Sequence, residues 1–248
     1  MKRYSDYDNF AWLYNQEWTA FGENVFPALK IIAGDNLPDG SRILDLCCGT
    51  GQLAKVLTQN GYLVTGIDGS EEMLHYAKEN APVAEFISSD ARAFKLPPVY
   101  NAIFSTFDSL NHIMTLDELL AVFKNVYKCL VNGGIFIFDM TTKYHFEIRA
   151  RTFNQFTEKP DYLFTQRGDY DEKNKTREVY FTLFQPEGKY WKRSNIILHQ
   201  TWYPCEDVKA ALEKAGFTGI KAHSFNQQRE LVEGTDDTER VFFLAEKP

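Results

Sequence analysis

The chain has 248 residues, 44% of them hydrophobic and 25% charged, with a net charge of -7. That is enough apolar surface for one domain with an embellishment, or two small ones. The acidic balance argues against non-specific nucleic-acid binding, which needs a basic surface, and no run approaches the roughly 20 apolar residues of a membrane span. The start, Met1 to Asp8, is polar and lacks an apolar leader, so a cytoplasmic protein is expected. Cys47 and Cys48 are adjacent while Cys129 and Cys205 stand alone, which is neither a disulfide framework nor a zinc spacing. Reduced, partly buried thiols and no metal site are expected.

In chain order, Tyr7 to Leu29 is aromatic and broadly helical, and residues 1–35 read as an N-terminal cap. The chain then alternates: strand 42–46, helix 51–60, strand 62–67, helix 70–80, strand 83–88, strand 101–106, helix 116–130 and strand 134–139. Strands separated by helices imply right-handed crossovers and a parallel sheet covered on both faces. From residue 141 to 200 the pattern changes to segments 162–170, 176–185 and 189–200, rich in Tyr, Phe, Thr, Val and Ile and divided by turn residues. Antiparallel hairpins are expected there. With 11 Lys and Arg against 8 acids this insert is +3, which leaves -10 for the remainder of the -7 total. A helix over 206–215, stopped by Gly216, and strands near 217–224 and 240–246 return the chain to α/β. The expected architecture is a Rossmann-like doubly wound sheet of seven strands with an antiparallel last strand. Residues 1–140 and 201–248 form its core, and 141–200 an antiparallel β insert over the substrate.

The chemistry centres on Ile43 to Gly51, an apolar strand running through Asp45 into Cys47-Cys48-Gly49-Thr50-Gly51 at a strand-to-helix turn. Glycines there admit a ligand close to the backbone, and the first helix amides point unpaired donors at it. Gly49 to Ala54 also satisfies G-x-G-x-x-A, with Asp68 about 20 residues on, the pattern of NAD or FAD binding. That pattern alone does not separate a dinucleotide from another adenosine ligand.

Five ordered stretches do. Leu44 to Gly51, Val64 to Ser70 with Met73, Ser88 to Ala91, Asn101 to His112 and Leu130 to Asp139 together resemble the class I S-adenosylmethionine-dependent methyltransferases. Cys47 stands where that family usually has glycine. The resemblance implies S-adenosyl-L-methionine as cofactor, with S-adenosyl-L-homocysteine as product. Asp68 would accept from the ribose hydroxyls and Asp90 from the adenine amino group, with Ala91 offering an amide and Met73 packing on the adenosine. The Gly49 and Gly51 backbone would lie against the methionine part, and Asp45 would help hold its ammonium directly or through the loop. Tyr14, Cys47, Cys48, Gly69, Thr106, Phe107 and Asp108 complete the implied cofactor contacts. Asp45 before the loop suits a sulfonium and an ammonium and disfavours a pyrophosphate.

The segment Phe107 to His112 after the fourth strand, the N-terminal Tyr7-Asp8-x-Phe10-Ala11-x-x-Tyr14 and the insert resemble small-molecule members, the sugar N-methyltransferases and glycine N-methyltransferase-like enzymes. The acceptor is then an N or O nucleophile of a small molecule. His112 has the pKa range of a base, and Tyr14 is placed to orient the nucleophile. Arg149, Arg151, Arg167 and Tyr180 are candidates to meet an acidic or phosphorylated substrate, and His145, His199 and Tyr203 lie near the insert's junctions. Two other readings stand beside this one: a NAD- or FAD-dependent oxidoreductase, and a silent S-adenosylmethionine sensor or scaffold. The aromatic insert suits either a lid or a homodimer contact.

Overall fold

In the computed structural model, which describes residues 7–34, 37–149 and 154–248, the chain forms an eight-stranded sheet and a separate four-stranded one. The first elements are helices α1 (Ala11–Glu17) and α2 (Phe21–Ala33), then β1 (Arg42–Leu46), α3 (Gln52–Gln59), β2 (Leu63–Asp68), α4 (Glu71–Asn80), β3 (Glu85–Ser88) and β4 (Tyr100–Ser105). A 3-10 turn at Ser109–His112 leads to α5 (Leu116–Cys129) and β5 (Leu130–Thr141). Strands β6 (Asn154–Glu158), β7 (Leu163–Asp171), β8 (Thr176–Glu187) and β9 (Tyr190–Thr201) make the second sheet. Helix α6 (Cys205–Ala215), β10 (Thr218–Phe225), β11 (Leu231–Glu233) and β12 (Arg240–Glu246) complete the first.

The large sheet has the order β11-β10-β12-β5-β4-β1-β2-β3. Strands β1 to β5 are parallel, β12 runs antiparallel to β5, and β10 pairs antiparallel with both β12 and β11. The expected seven strands are therefore eight. The extra one, β11, is a three-residue edge strand whose residues are all exposed, so it carries no alternating apolar pattern to betray it. The aromatic N-terminal stretch is likewise two helices. The Trp18 amide bonds back to the Tyr14 carbonyl and ends α1, so that α2 leaves in a new direction. Strand β6 also escaped the sequence reading, being polar and exposed along most of its length.

Both faces of the large sheet are covered, which explains its near-continuous apolar strands. Alternate residues feed opposite cores. Leu44, Ile103, Phe136 and Phe138 pack with Leu119, Phe123, Leu212 and Phe243, while Ile43, Phe104, Ile135 and Ile137 pack with Leu29, Ile32, Leu53 and Leu57. A third cluster joins α1 to the second sheet, through Phe10, Ala11 and Leu13 against Phe164, Val179, Phe181, Leu183, Ile196 and Leu198.

Helix α2 meets the start of α3 at Gly22. A Cβ there would stand 2.2 Å from the Gln52 carbonyl oxygen and 2.8 Å from the Leu53 nitrogen, both backbone atoms that cannot rotate away. Gly22→Ala is expected to cost about 3 kcal/mol, at the upper end of overpacking effects. A urea unfolding curve checks it through a lowered midpoint at unchanged slope.

Candidate active site

Two cavities meet where α1, the glycine loop and the second sheet converge. The first, of 340 Å³, is lined by Tyr14, Cys47, Gly49, Asp68, Gly69, Met73, Asp90, Ala91 and Phe107, nine of the residues expected at a cofactor, together with Arg92, Ser109 and His112. The second, of 380 Å³, lies between the core and the four-stranded sheet, walled by Phe10, Trp18, Phe164 and Phe181. Tyr7, Tyr14, Phe107, His112 and Leu198 line both.

Asp68 ends β2 and organises the loop facing it. Its Oδ2 accepts from the Gly49 amide at 2.9 Å and its Oδ1 from the Ser70 amide at 2.8 Å. Burial raises this carboxyl, and the amides of Ser70, Gly49 and Gly69 oppose that. Ser70 caps α4 by accepting from the Met73 amide at 3.1 Å, and its hydroxyl donates to Asp8, which ties the segment before α1 to the site.

Asp45 is not in the lining. It lies behind the loop, 2% exposed, and its Oδ2 has no hydrogen-bond partner among the described residues. Burial first and the Asp68 charge second push its carboxyl up to about 7. An unpartnered buried carboxylate oxygen behind a strand-to-helix turn is an acceptor beside which a cation is favoured, which fits a sulfonium-ammonium ligand and opposes a pyrophosphate.

Cys47 occupies the usual glycine position with φ +60°. A residue with a Cβ pays about 1–2 kcal/mol there, so Cys47→Gly is expected to stabilise the protein by roughly 0.5–1 kcal/mol after the added chain entropy of glycine. The midpoint of urea unfolding checks this. Burial and the neighbouring Asp68 and Asp45 push the Cys47 thiol well up, so it stays protonated and unreactive.

Several expected contacts fall elsewhere. Cys48 packs beside Leu74, Ala77 and Phe86, and Gly51, at φ +75°, lets the loop approach Ala77, whose Cα would stand 3.0 Å from an added Cβ. Thr106 is buried outside the lining. Asp90 is engaged by a residue the sequence reading passed over: Arg92 Nε donates to Asp90 at 3.0 Å and Arg92 Nη2 at 2.8 Å, while Nη1 reaches Glu118 at 2.7 Å.

Asp108 turns into the second cavity. With Phe107 it has left-handed backbone, φ +49° and +64°, held by its own amide donating to Asp139 Oδ1 at 2.8 Å. Arg240 bridges the two acids, Nη2 to Asp108 at 2.7 Å and Nη1 to Asp139 at 2.6 Å. Gln200 Nε2 donates to Asp108 at 2.8 Å. In the sequence Asp139 marks only the end of a strand, and nothing local points to Arg240 or Gln200. They come from the last strands of each sheet, which nothing local in sequence joins.

His112 is set by the fully buried Asn111, whose amide donates to the carbonyls of Thr141 and Thr201 and accepts from the Thr141 amide. His112 Nδ1 lies 2.7 Å from the His199 carbonyl, which can only accept, so Nδ1 carries the proton. Nε2 is then the basic nitrogen. It lies 2.8 Å from the Tyr7 hydroxyl and 3.2 Å from Gln200 Nε2, both able to donate. Burial lowers the His112 pKa below its ordinary 6.5, with Asp108 opposing, so the ring is neutral at pH 7. Tyr7 and Tyr14 are pushed well up by burial and then by Asp108.

Of the remaining candidates, His145 lines the second cavity, and His199 lines the first besides supplying its carbonyl to His112. Tyr203 donates to the Ile113 carbonyl at 2.6 Å and lines neither. Arg167 stacks over the Tyr180 ring at 4.6 Å, outside both cavities. Arg151 and the side chain of Arg149 lie outside the described residues.

Residues 43–134 match the family model of a methyltransferase domain. The match covers the glycine loop and the strands around it, and so agrees with the resemblance to the class I methyltransferases over that part of the chain. The chain is 29% identical over 218 residues to "Putative methyltransferase YqeM" of Bacillus subtilis, covering 86% of each chain. It is 31% identical over 102 residues to a dTDP-3-amino-3,4,6-trideoxy-alpha-D-glucopyranose N,N-dimethyltransferase of Streptomyces venezuelae, 41% of this chain and 43% of that enzyme. Its fold is that of an S-adenosylmethionine-dependent methyltransferase from Clostridium acetobutylicum, with a TM-score of 0.79 at 21% identity over 98% of this chain and 99% of the other. Among the described residues no group of His, Cys, Asp and Glu could hold a metal, and no helix is long and apolar enough to cross a membrane.

Proposed function

We propose that this methyltransferase binds S-adenosylmethionine in the first cavity and methylates an N or O nucleophile of a small molecule held in the second. The observation that carries the reading is the junction: two cavities share Tyr7, Tyr14, Phe107 and the neutral His112. When bound, the cofactor supplies an electrophilic methyl group on a sulfonium. Cys47, Gly49, Asp68, Met73, Asp90 and Ala91 would hold it, with Asp45 behind the loop offsetting its ammonium.

The protein's own work is positioning and proton removal. The aromatic walls, with Phe10 4.6 Å from Phe181 and Tyr14 stacked on Trp18 at 5.5 Å, exclude water and hold the acceptor's apolar part. The acceptor's proton passes to the Tyr7 oxygen as the Tyr7 hydroxyl gives its own to His112 Nε2, or passes to Nε2 directly. The raised Tyr7 phenol never stands as phenolate in the first route, so the two transfers are concerted. Tyr14, also kept protonated, orients the nucleophile.

Labelled-methyl transfer to a panel of small amines, phenols and carboxylic acids tests this. Transfer to at least one acceptor, abolished by excess S-adenosylhomocysteine, is expected. Tight cofactor binding without transfer to any panel member would favour the sensor reading instead.

A further inference from the structure

Two guanidinium groups face the acceptor chamber in opposite states. Arg240 has a carboxylate on each side. Arg177 is the more buried of the two, 6% exposed, yet among the described residues no carboxylate stands within ion-pair distance of it. Nη1 donates to Gln200 Oε1 at 3.4 Å, a long bond, and buried Nε has no partner. Strand alternation puts it there by design of the sequence. Arg177, Val179, Phe181 and Leu183 share the inward face of β8, while Glu178 and Tyr180 point outward. A buried cation without a paired anion costs several kcal/mol, and here burial lowers the arginine's pKa with Asp108 opposing only at longer range. A cost of that kind is retained where a ligand removes it.

We propose that the methyl acceptor carries a carboxylate or phosphate group, and that Arg177 is the residue that receives it. The planar fork of an arginine pairs such groups through two parallel hydrogen bonds. Gln200 supports the placement: its Oε1 faces Arg177 while its Nε2 faces Asp108 and His112, so anion and nucleophile would be held from one side chain's two ends. At 380 Å³ the chamber is large enough to take a small aromatic ring beside these walls. Arg240, the other guanidinium at the chamber, is already paired with Asp108 and Asp139 and offers the anion no open cation, which leaves Arg177 as its receptor. This inference rests on the reading of the second cavity as the acceptor chamber.

Three probes sharing one ring test it by fluorine NMR titration at saturating S-adenosylhomocysteine: 4-fluorobenzoate, 4-fluorophenyl phosphate and 4-fluorobenzamide. The proteins are wild type, Arg177→Gln and Arg177→Lys. At least one anion is expected to bind the wild type about tenfold or more tightly than the amide does, as one charge-assisted pair gives. Whichever anion binds names the source. Arg177→Gln should lose that preference, Arg177→Lys should keep part of it, and all three should bind S-adenosylhomocysteine alike, which separates a lost site from a lost fold. Equal binding of amide and anions, no anion binding at all, or an undiminished preference in Arg177→Gln would overturn the proposal. Failure of S-adenosylhomocysteine to bind the wild type, with the anion preference intact, would instead remove the cofactor reading and leave the Arg177 site standing.

Discussion

His112→Ala is expected to lower kcat for methyl transfer by about 10²–10⁴, the range of a positioned general base, while changing S-adenosylhomocysteine affinity by less than about twofold. The reason lies in the hydrogen bonds. The His199 carbonyl fixes the proton on Nδ1, which leaves Nε2 as the one lone pair aimed at the Tyr7 hydroxyl and the chamber. The pH dependence follows with a definite sign. The pKa of His112 is lowered, so protonation, which removes the base, sets in only below the ordinary 6.5. Rate should fall as pH drops through that lowered value and stay level above it, because Tyr7 and Tyr14 are raised and do not ionise in the alkaline range. Tyr7→Phe should lower kcat about 10-fold to 10²-fold and leave the acid limb in place, which separates a relay from a merely structural ring. Steady-state kinetics from pH 5 to 9 read all of this, and an unchanged kcat in His112→Ala would remove its role.

The second large effect concerns Asp45. Its carboxyl is raised to about 7 by burial and by Asp68, so in the free protein it is largely protonated below neutrality. A bound ammonium favours the ionised form. Binding of S-adenosylhomocysteine should therefore release a proton near pH 6, and affinity should climb up to about tenfold per pH unit from pH 5 to 7, then level off. Asp45→Asn removes both the attraction and the proton: binding weakens, by about 10-fold to 10²-fold at pH 8, and loses its slope over pH 5 to 7. Stability moves the other way. A raised folded-state pKa means that the carboxyl's neutral form is what folding favours, and stability is lost as pH rises from about 4 through about 7. Asp45→Asn should thus be more stable than the wild type at pH 8, by an amount on the order of a few kcal/mol, while binding ligand less well. Calorimetry in buffers of different ionisation enthalpy, with urea curves at pH 5 and 8, checks both halves.

The parallel core was legible because its signals are local. An apolar run into Gly49-Thr50-Gly51, the acid-ended second strand and the glycine entry to the fifth strand each sit within about ten residues. What was not legible is assembled from distant segments. Arg240 reaches Asp108 and Asp139 across 132 and 101 residues, and Gln200 reaches Asp108 across 92. Tyr7 was quoted for its motif, but only the fold brings its hydroxyl to His112, 105 residues away. Arg177 is the instructive case. Arg167 stands out in the insert by its charge alone, whereas the period-two pattern of Arg177-Val179-Phe181-Leu183 places Arg177 on the apolar face. A charged residue in step with buried ones is a stronger sign of a ligand contact than a charge in step with solvent.

The central claim is that the cavity between Cys47, Asp68 and Asp90 holds the cofactor with its reactive centre at the junction lined by Tyr7, Tyr14, Phe107 and His112. A crystal structure with S-adenosylhomocysteine bound tests it most directly. The ribose is expected on Asp68 and the sulfur facing the junction beside His112. Density for the nucleoside elsewhere, or a sulfur turned away from the acceptor chamber, would contradict it.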